Sequence, residues 1–123
     1  MGRRCYDEYL AVLDLTADFY LDTIERVFQR RDLANGTFTW RGRTVDPSFI
    51  RSTALMTVEG ELDDISAVGQ TAAAHRVCSS VPESMRASHL QPGVGHYGIF
   101  NGRKWRDGIQ PRIAAFIAAH EAH

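Results

Sequence analysis

Asp63 and His96 are the residues of this chain best placed for chemistry, because each follows a short apolar run that ends abruptly. The first run, Thr53 to Val58, breaks at Glu59, Gly60, Glu61, Leu62, Asp63 and Asp64. The second, Ser88 to Gln91, breaks at Pro92, Gly93, Val94, Gly95, His96, Tyr97 and Gly98. An acid that fixes the tautomer of a histidine forms two parts of a nucleophile–histidine–acid hydrolase site. Each residue also has a plainer reading. His96 could be an incidental surface histidine, and Asp63 with Asp64 could simply cap the helix that follows. Asp64 or Ser66 could serve as that cap alone, leaving Asp63 free.

The elements around this pair must bring it together. Residues 66–78 carry Val68, Thr71, Ala72 and His75 at helical intervals, so the order is strand, acid loop, helix, strand, histidine loop. Parallel strands joined by such a crossover lie side by side, and their carboxyl-end loops face one crevice. Thirty-three residues from Asp63 to His96 suffice for one helix and one strand. Pro82 and Glu83 fall in a loop, and a last helix begins near Asn101, presenting Trp105, Ile109, Ile113, Phe116 and Ile117. Pro111 inside that pattern should kink or split it.

The first fifty residues have another rhythm. Tyr9, Leu10 and Leu13, then Phe19, Tyr20, Ile24, Val27 and Phe28, predict helix over 6–34, with Thr16 or Asp14 as a cap within it. Asn35-Gly36 should stop it. Residues 37–45 alternate around Arg41-Gly42 and predict a hairpin, Asp46-Pro47 a turn, and Ser48–Ile50 a short helical piece. The composition changes near residue 50, dividing a helical and hairpin segment (1–50) from a βαβα portion (51–123). The expected fold class is α/β with parallel strands. Two strands alone leave an unpaired edge, so self-association, a partner or marginal stability is expected.

Composition narrows the partners. With 123 residues, 44% hydrophobic and 24% charged, the chain matches an ordinary globular domain. Fourteen Lys and Arg against fifteen Asp and Glu give no electrostatic case for nucleic acid or an anionic membrane. The apolar runs fall short of the roughly 20 residues of a membrane span. The charged start, Met1-Gly2-Arg3-Arg4, lacks the apolar core of a secretory signal, and Tyr6 stands where a myristoylation motif needs Ser or Thr. Cys5 and Cys78 have no CxxC spacing and read as free thiols of a cytoplasmic protein.

Other patterns lead away from cofactors. Gly93, Gly95 and Gly98 match GxGxxG in letter, but no second βαβ strand follows to carry the ribose-binding acid. These glycines more simply let a tight loop position His96. His120 and His123 stand near the chain end, and His75 and His89 lack acid or thiol companions at ligand spacing, so no metal site is expected. A nucleophile elbow needs glycines four apart around Ser or Cys. The pair at that interval, Gly98 and Gly102, encloses Phe100.

Longer strings resemble a family. Tyr6 to Leu15, Phe19-Tyr20-Leu21, Trp40-Arg41-Gly42-Arg43, Thr53 to Ile65, Val68 to Thr71 and Gly93 to Arg103 are similar to the carboxyl-terminal region of intracellular polyhydroxyalkanoate (polyhydroxybutyrate) depolymerases. The resemblance implies the carboxyl-terminal part of an α/β-hydrolase fold, with residues to about 50 in a cap-like insertion. It implies Asp63 as triad acid and His96 as triad base, no metal or organic cofactor, and poly(3-hydroxybutyrate) in cytoplasmic granules as substrate. The family's nucleophile, commonly an elbow cysteine, has no counterpart in Cys5 or Cys78. The resemblance therefore leads to a chain that supplies two triad members and needs an elbow-bearing amino-terminal half. The alternative is a non-catalytic granule-binding protein in which Phe38, Trp40 and Phe49 meet polymer.

Overall fold

The computed structural model describes residues 16–121, a mixed α/β chain that divides into two compact units between Asp46 and Pro47. The expected helical face of Tyr9, Leu10 and Leu13, together with Cys5 and His123, lies outside the described residues.

In the first unit, Thr16 caps helix α1 (Ala17–Thr23) by accepting the Phe19 N–H at 3.2 Å, with Asp18 at the positive end. The helix continues through a wider π-helical turn, Ile24–Gln29, and does not run unbroken to residue 34. Arg31 breaks it with φ of 51°, and a single turn, α2 (Asp32–Asn35), follows. Gly36 ends that turn in the left-handed conformation (φ 74°), where glycine avoids a side-chain clash. Strands β1 (Thr39–Trp40) and β2 (Arg43–Thr44) form the hairpin. Arg41 and Gly42 both take positive φ (50° and 75°), the geometry that lets two residues reverse a twisted ribbon. Buried Asp32 joins hairpin to helix: Thr37 donates to it at 3.1 Å and Arg30 pairs with it at 3.0 Å. The Arg26 guanidinium lies over the Phe38 ring at 4.2 Å and donates to the Thr39 carbonyl.

The second unit holds the strand–helix–strand–helix order. After a 3₁₀ turn, Pro47–Phe49, come β3 (Leu55–Gly60), α3 (Ala74–Val77), β4 (Arg86–Gln91) and α4 (Gln110–Ala119). β3 and β4 pair in parallel, from Leu55 opposite Arg86 to Gly60 opposite Gln91. Pleating sends Thr57, Glu59, Arg86 and Ser88 to one face and Met56, Val58, Ala87 and His89 to the other. The crossover is less helical than its periodicity predicts. Gly69 adopts φ of 97°, which the right-handed helix excludes, so residues 61–73 run through turns and only Ala74–Val77 complete α3. Arg86 fastens that short helix by donating to the carbonyls of His75, Cys78 and Val81 at 2.5–2.7 Å. Those carbonyls belong to the helix end and beyond, where intrahelical donors run out; that of Cys78 also accepts the Val81 N–H at 3.3 Å.

Pro111 sits in the first turn of α4, where its missing N–H costs nothing. The turn before it, Trp105–Ile109, is π-helical, and residues 103–119 stay helical throughout, so the element changes its winding ahead of the proline without being split. The apolar core is small: Val81, Val94, Ile99 and fully buried Ile109, against buried Thr57, Glu59 and Asp63.

His120 is no solvated tail residue. Its Nδ1 faces the Phe116 carbonyl at 2.9 Å and its Nε2 the Ser84 carbonyl at 3.1 Å, tying the end of α4 to the turn before β4. Carbonyl oxygens only accept, so both ring nitrogens must donate, which requires the imidazolium. These two bonds accordingly raise its pKa above the ordinary histidine value. A raised folded-state pKa gives stability that is complete below the unfolded value and lost as pH rises through the folded one. His120→Ala should therefore lower the melting temperature more at about pH 5.5 than at about pH 8.5. Equal losses at both pH values would contradict the imidazolium tie.

Candidate active site

The site is built on the two carboxyl-end loops of the parallel pair. The ladder continues past the last paired residues, because Glu61 N–H donates to the Gln91 carbonyl at 3.0 Å and Leu62 N–H to the Val94 carbonyl at 2.9 Å. The acid loop and the histidine loop are thus joined backbone to backbone. Such an approach leaves no room for side chains at two glycines. A Cβ on Gly60 would stand 2.8 Å from the Val94 carbonyl oxygen, and one on Gly98 would stand 2.8 Å from the Val94 Cβ. Val94 is buried between them. Gly93 turns the chain into the loop with φ of 69°.

Against that frame the two candidate residues meet. The Asp63 Oδ2 accepts from His96 Nδ1 at 2.8 Å. Its other oxygen, Oδ1, accepts the N–H groups of Ile65 at 2.9 Å and Ser66 at 2.8 Å. The carboxylate side chain is 1% exposed, whereas the imidazole is 31% exposed. The sequence posed pairing and helix capping as alternatives; the pairing forms through Oδ2, while no helix begins here and Oδ1 instead closes a turn in the loop. Burial alone pushes the Asp63 carboxyl up. The Ser66 N–H, the His96 ring, the Ile65 N–H and the charge His96 can carry together outweigh it, so the net pKa is lowered.

His96 is held on its flanks as well. It opens a 3₁₀ turn, Tyr97–Ile99, whose Ile99 is buried. Tyr97 and Phe100 meet the imidazole edge-on, with ring centroids 5.8 and 5.9 Å away. With Nδ1 committed to the carboxylate, the ring directs Nε2 as its free acceptor. A neutral imidazole in that tautomer takes protons at Nε2, the property a general base requires. Leu62, Ile65 and Phe100 give the surroundings an exposed apolar rim.

The remaining sequence candidates do not join this centre. His75 bonds Thr57 at 3.0 Å, and His89 bonds Gln91 at 2.9 Å. Half-buried Cys78 closes α3. Among the described residues no three His, Cys, Asp or Glu side chains stand together as metal ligands. No helix of the described residues is long and apolar enough to cross a membrane. The sequence reading missed Val94, the buried residue between the loops, and Glu59. The glycines on either side of Val94 were the available signal.

A family model described as the PHB de-polymerase C-terminus matches residues 1–121. The chain belongs to that family. Neither the curated proteins nor the solved structures compared with it give a match. Within a PHB de-polymerase C-terminus, the match includes both strands, both loops and the Asp63–His96 pair.

Asp63 ties the site to pH in the opposite sense from His120. A lowered folded-state pKa gives stability present above the unfolded carboxyl value and lost as pH falls through the folded one. Asp63→Asn should melt well below wild type at about pH 6, and the gap should narrow towards about pH 2.5. A gap independent of pH would show that the carboxylate charge is not what the loop holds.

Proposed function

We propose that Asp63 and His96 are the acid and base of an ester-hydrolysing site whose nucleophile comes from an elbow-bearing segment beyond these two loops. The reading rests on one observation above others: a buried carboxylate, fixed by two backbone N–H groups, bonds the Nδ1 of a part-exposed imidazole at 2.8 Å. Family membership supplies the substrate class, poly(3-hydroxybutyrate), and agrees with an apolar rim around the pair. In this proposal the two strands belong to the carboxyl-terminal part of an α/β-hydrolase sheet, and residues up to about 50 form a cap-like segment. The protein would work in the cytoplasm at polymer granules.

The chemistry follows from the geometry. As a Ser or Cys nucleophile attacks the ester carbonyl, His96 Nε2 takes its proton. Asp63 keeps the ring in the Nδ1–H tautomer and stabilises the imidazolium that forms. The imidazolium then gives its proton to the departing alcohol oxygen, leaving an acyl-enzyme. Water, deprotonated by the same nitrogen, attacks the acyl carbon and releases the hydroxy acid or oligomer. No step calls for a metal or organic cofactor.

A second reading is favoured by exposed aromatic side chains. Trp40 is 61% and Phe49 75% exposed, both large apolar groups left in water. They suit a chain that adheres to polymer, alone or as a homo-oligomer, without catalysing its hydrolysis. Mixing the chain with a matching elbow-bearing half and measuring 3-hydroxybutyrate release separates the two. Catalysis predicts turnover that Asp63→Ala or His96→Ala lowers by about 10³-fold or more. Turnover that survives both substitutions would remove the pair from the mechanism. Granule sedimentation without any turnover would favour the adhesive reading.

A further inference from the structure

Glu59 is a buried carboxylate that the proposed mechanism leaves unused. It stands second from the end of β3, opposite Leu90, on the strand face shared with Thr57. It is 6% exposed. No ion pair of the described residues includes it. A carboxylate removed from water without a counter-charge is costly, so its hydrogen bonds must compensate. The bond found is short and specific: Oε2 accepts the Gly69 N–H at 2.5 Å.

Gly69 lies in the turns that carry the acid loop towards the crossover helix. It takes φ of 97°, and its carbonyl accepts the Ala73 N–H at 3.0 Å. The adjoining turn closes through Gln70 N–H to the Ala67 carbonyl, also at 3.0 Å. At the near end, the loop is fastened by Leu62 to Val94 and by Asp63 N–H to the Gly60 carbonyl at 3.2 Å. Between these two fastenings lie Ile65 and Ser66, the donors to Asp63. Glu59 therefore ties the far end of the acid loop back to the strand from which that loop departs.

We infer that Glu59 is a positioning residue for the Asp63–His96 pair: its bond to Gly69 holds the Ile65 and Ser66 N–H groups on Asp63, which in turn orients the imidazole. The inference rests on the proposed pairing of Asp63 with His96. A charged acceptor makes a stronger bond to an amide than a neutral one. Gln keeps an acceptor of the same reach, Asp keeps the charge but falls one methylene short, and Ala removes both.

The test is proton NMR of the chain itself, observing the low-field His96 Nδ1–H signal, together with amide exchange at Ile65 and Ser66. The wild-type signal should disappear in Asp63→Asn, which establishes the pairing independently. Glu59→Ala and Glu59→Asp should each broaden the signal into exchange with water and speed Ser66 N–H exchange by about tenfold or more. Glu59→Gln should restore most of both. Val81→Ala, a core truncation outside the acid loop, should lower the melting temperature yet leave the signal intact. If Glu59→Ala does not fold, Glu59→Asp decides the matter. Wild-type signal and exchange in a folded Glu59→Ala or Glu59→Asp chain would overturn the positioning role while leaving the pair standing. A wild-type chain without the signal, or one insensitive to Asp63→Asn, would overturn both.

Discussion

A carboxylate taken out of water needs a donor for each oxygen, and Asp63 divides its two between two tasks. Oδ1 gathers backbone N–H groups from the loop that follows, which orders that loop. Oδ2 takes the imidazole, which orders the histidine on the neighbouring loop. Removing either set would leave a buried oxygen unanswered, at a cost of about 1–3 kcal/mol or more. The turn at Ile65 and Ser66 and the histidine orientation are consequently coupled through one side chain. A single residue serves both because the parallel register ends with Gly60 opposite Gln91, and Val94 closes the gap between the loops.

Much of this geometry was legible in the sequence. Breaks after Val58 and Gln91, with helical spacing between, called for parallel strands and neighbouring loops, and both strands form. Their bounds moved, β3 to Leu55–Gly60 and β4 to Arg86–Gln91, because pairing partners rather than local apolarity decide where a strand stops. The hairpin around Arg41-Gly42 was equally readable, since a turn needing positive φ advertises itself through glycine. The Asp63–His96 contact was legible as a pairing of loops, though not as a 2.8 Å bond.

What the sequence concealed was tertiary. The periodicity over 66–78 promised a longer helix than Ala74–Val77, but Gly69 takes a positive φ in a turn, where its N–H donates to Glu59. Arg31 carries no mark of the left-handed conformation that ends the first helix. His120 resembled frayed terminus, since its acceptor on Ser84 lies thirty-six residues away. Asp32 and Glu59 drew no assignment from the sequence. Their burial depends on partners contributed by other segments, which no local pattern announces.

The most direct measurement of the central claim is the tautomer of neutral His96, read from nitrogen-15 chemical shifts in the labelled chain. Neutral His96 should carry its proton on Nδ1, bonded to Asp63, and leave a bare Nε2 ready to accept. A neutral ring protonated on Nε2 would contradict it, because that imidazole could neither donate to the carboxylate nor begin the reaction as a base.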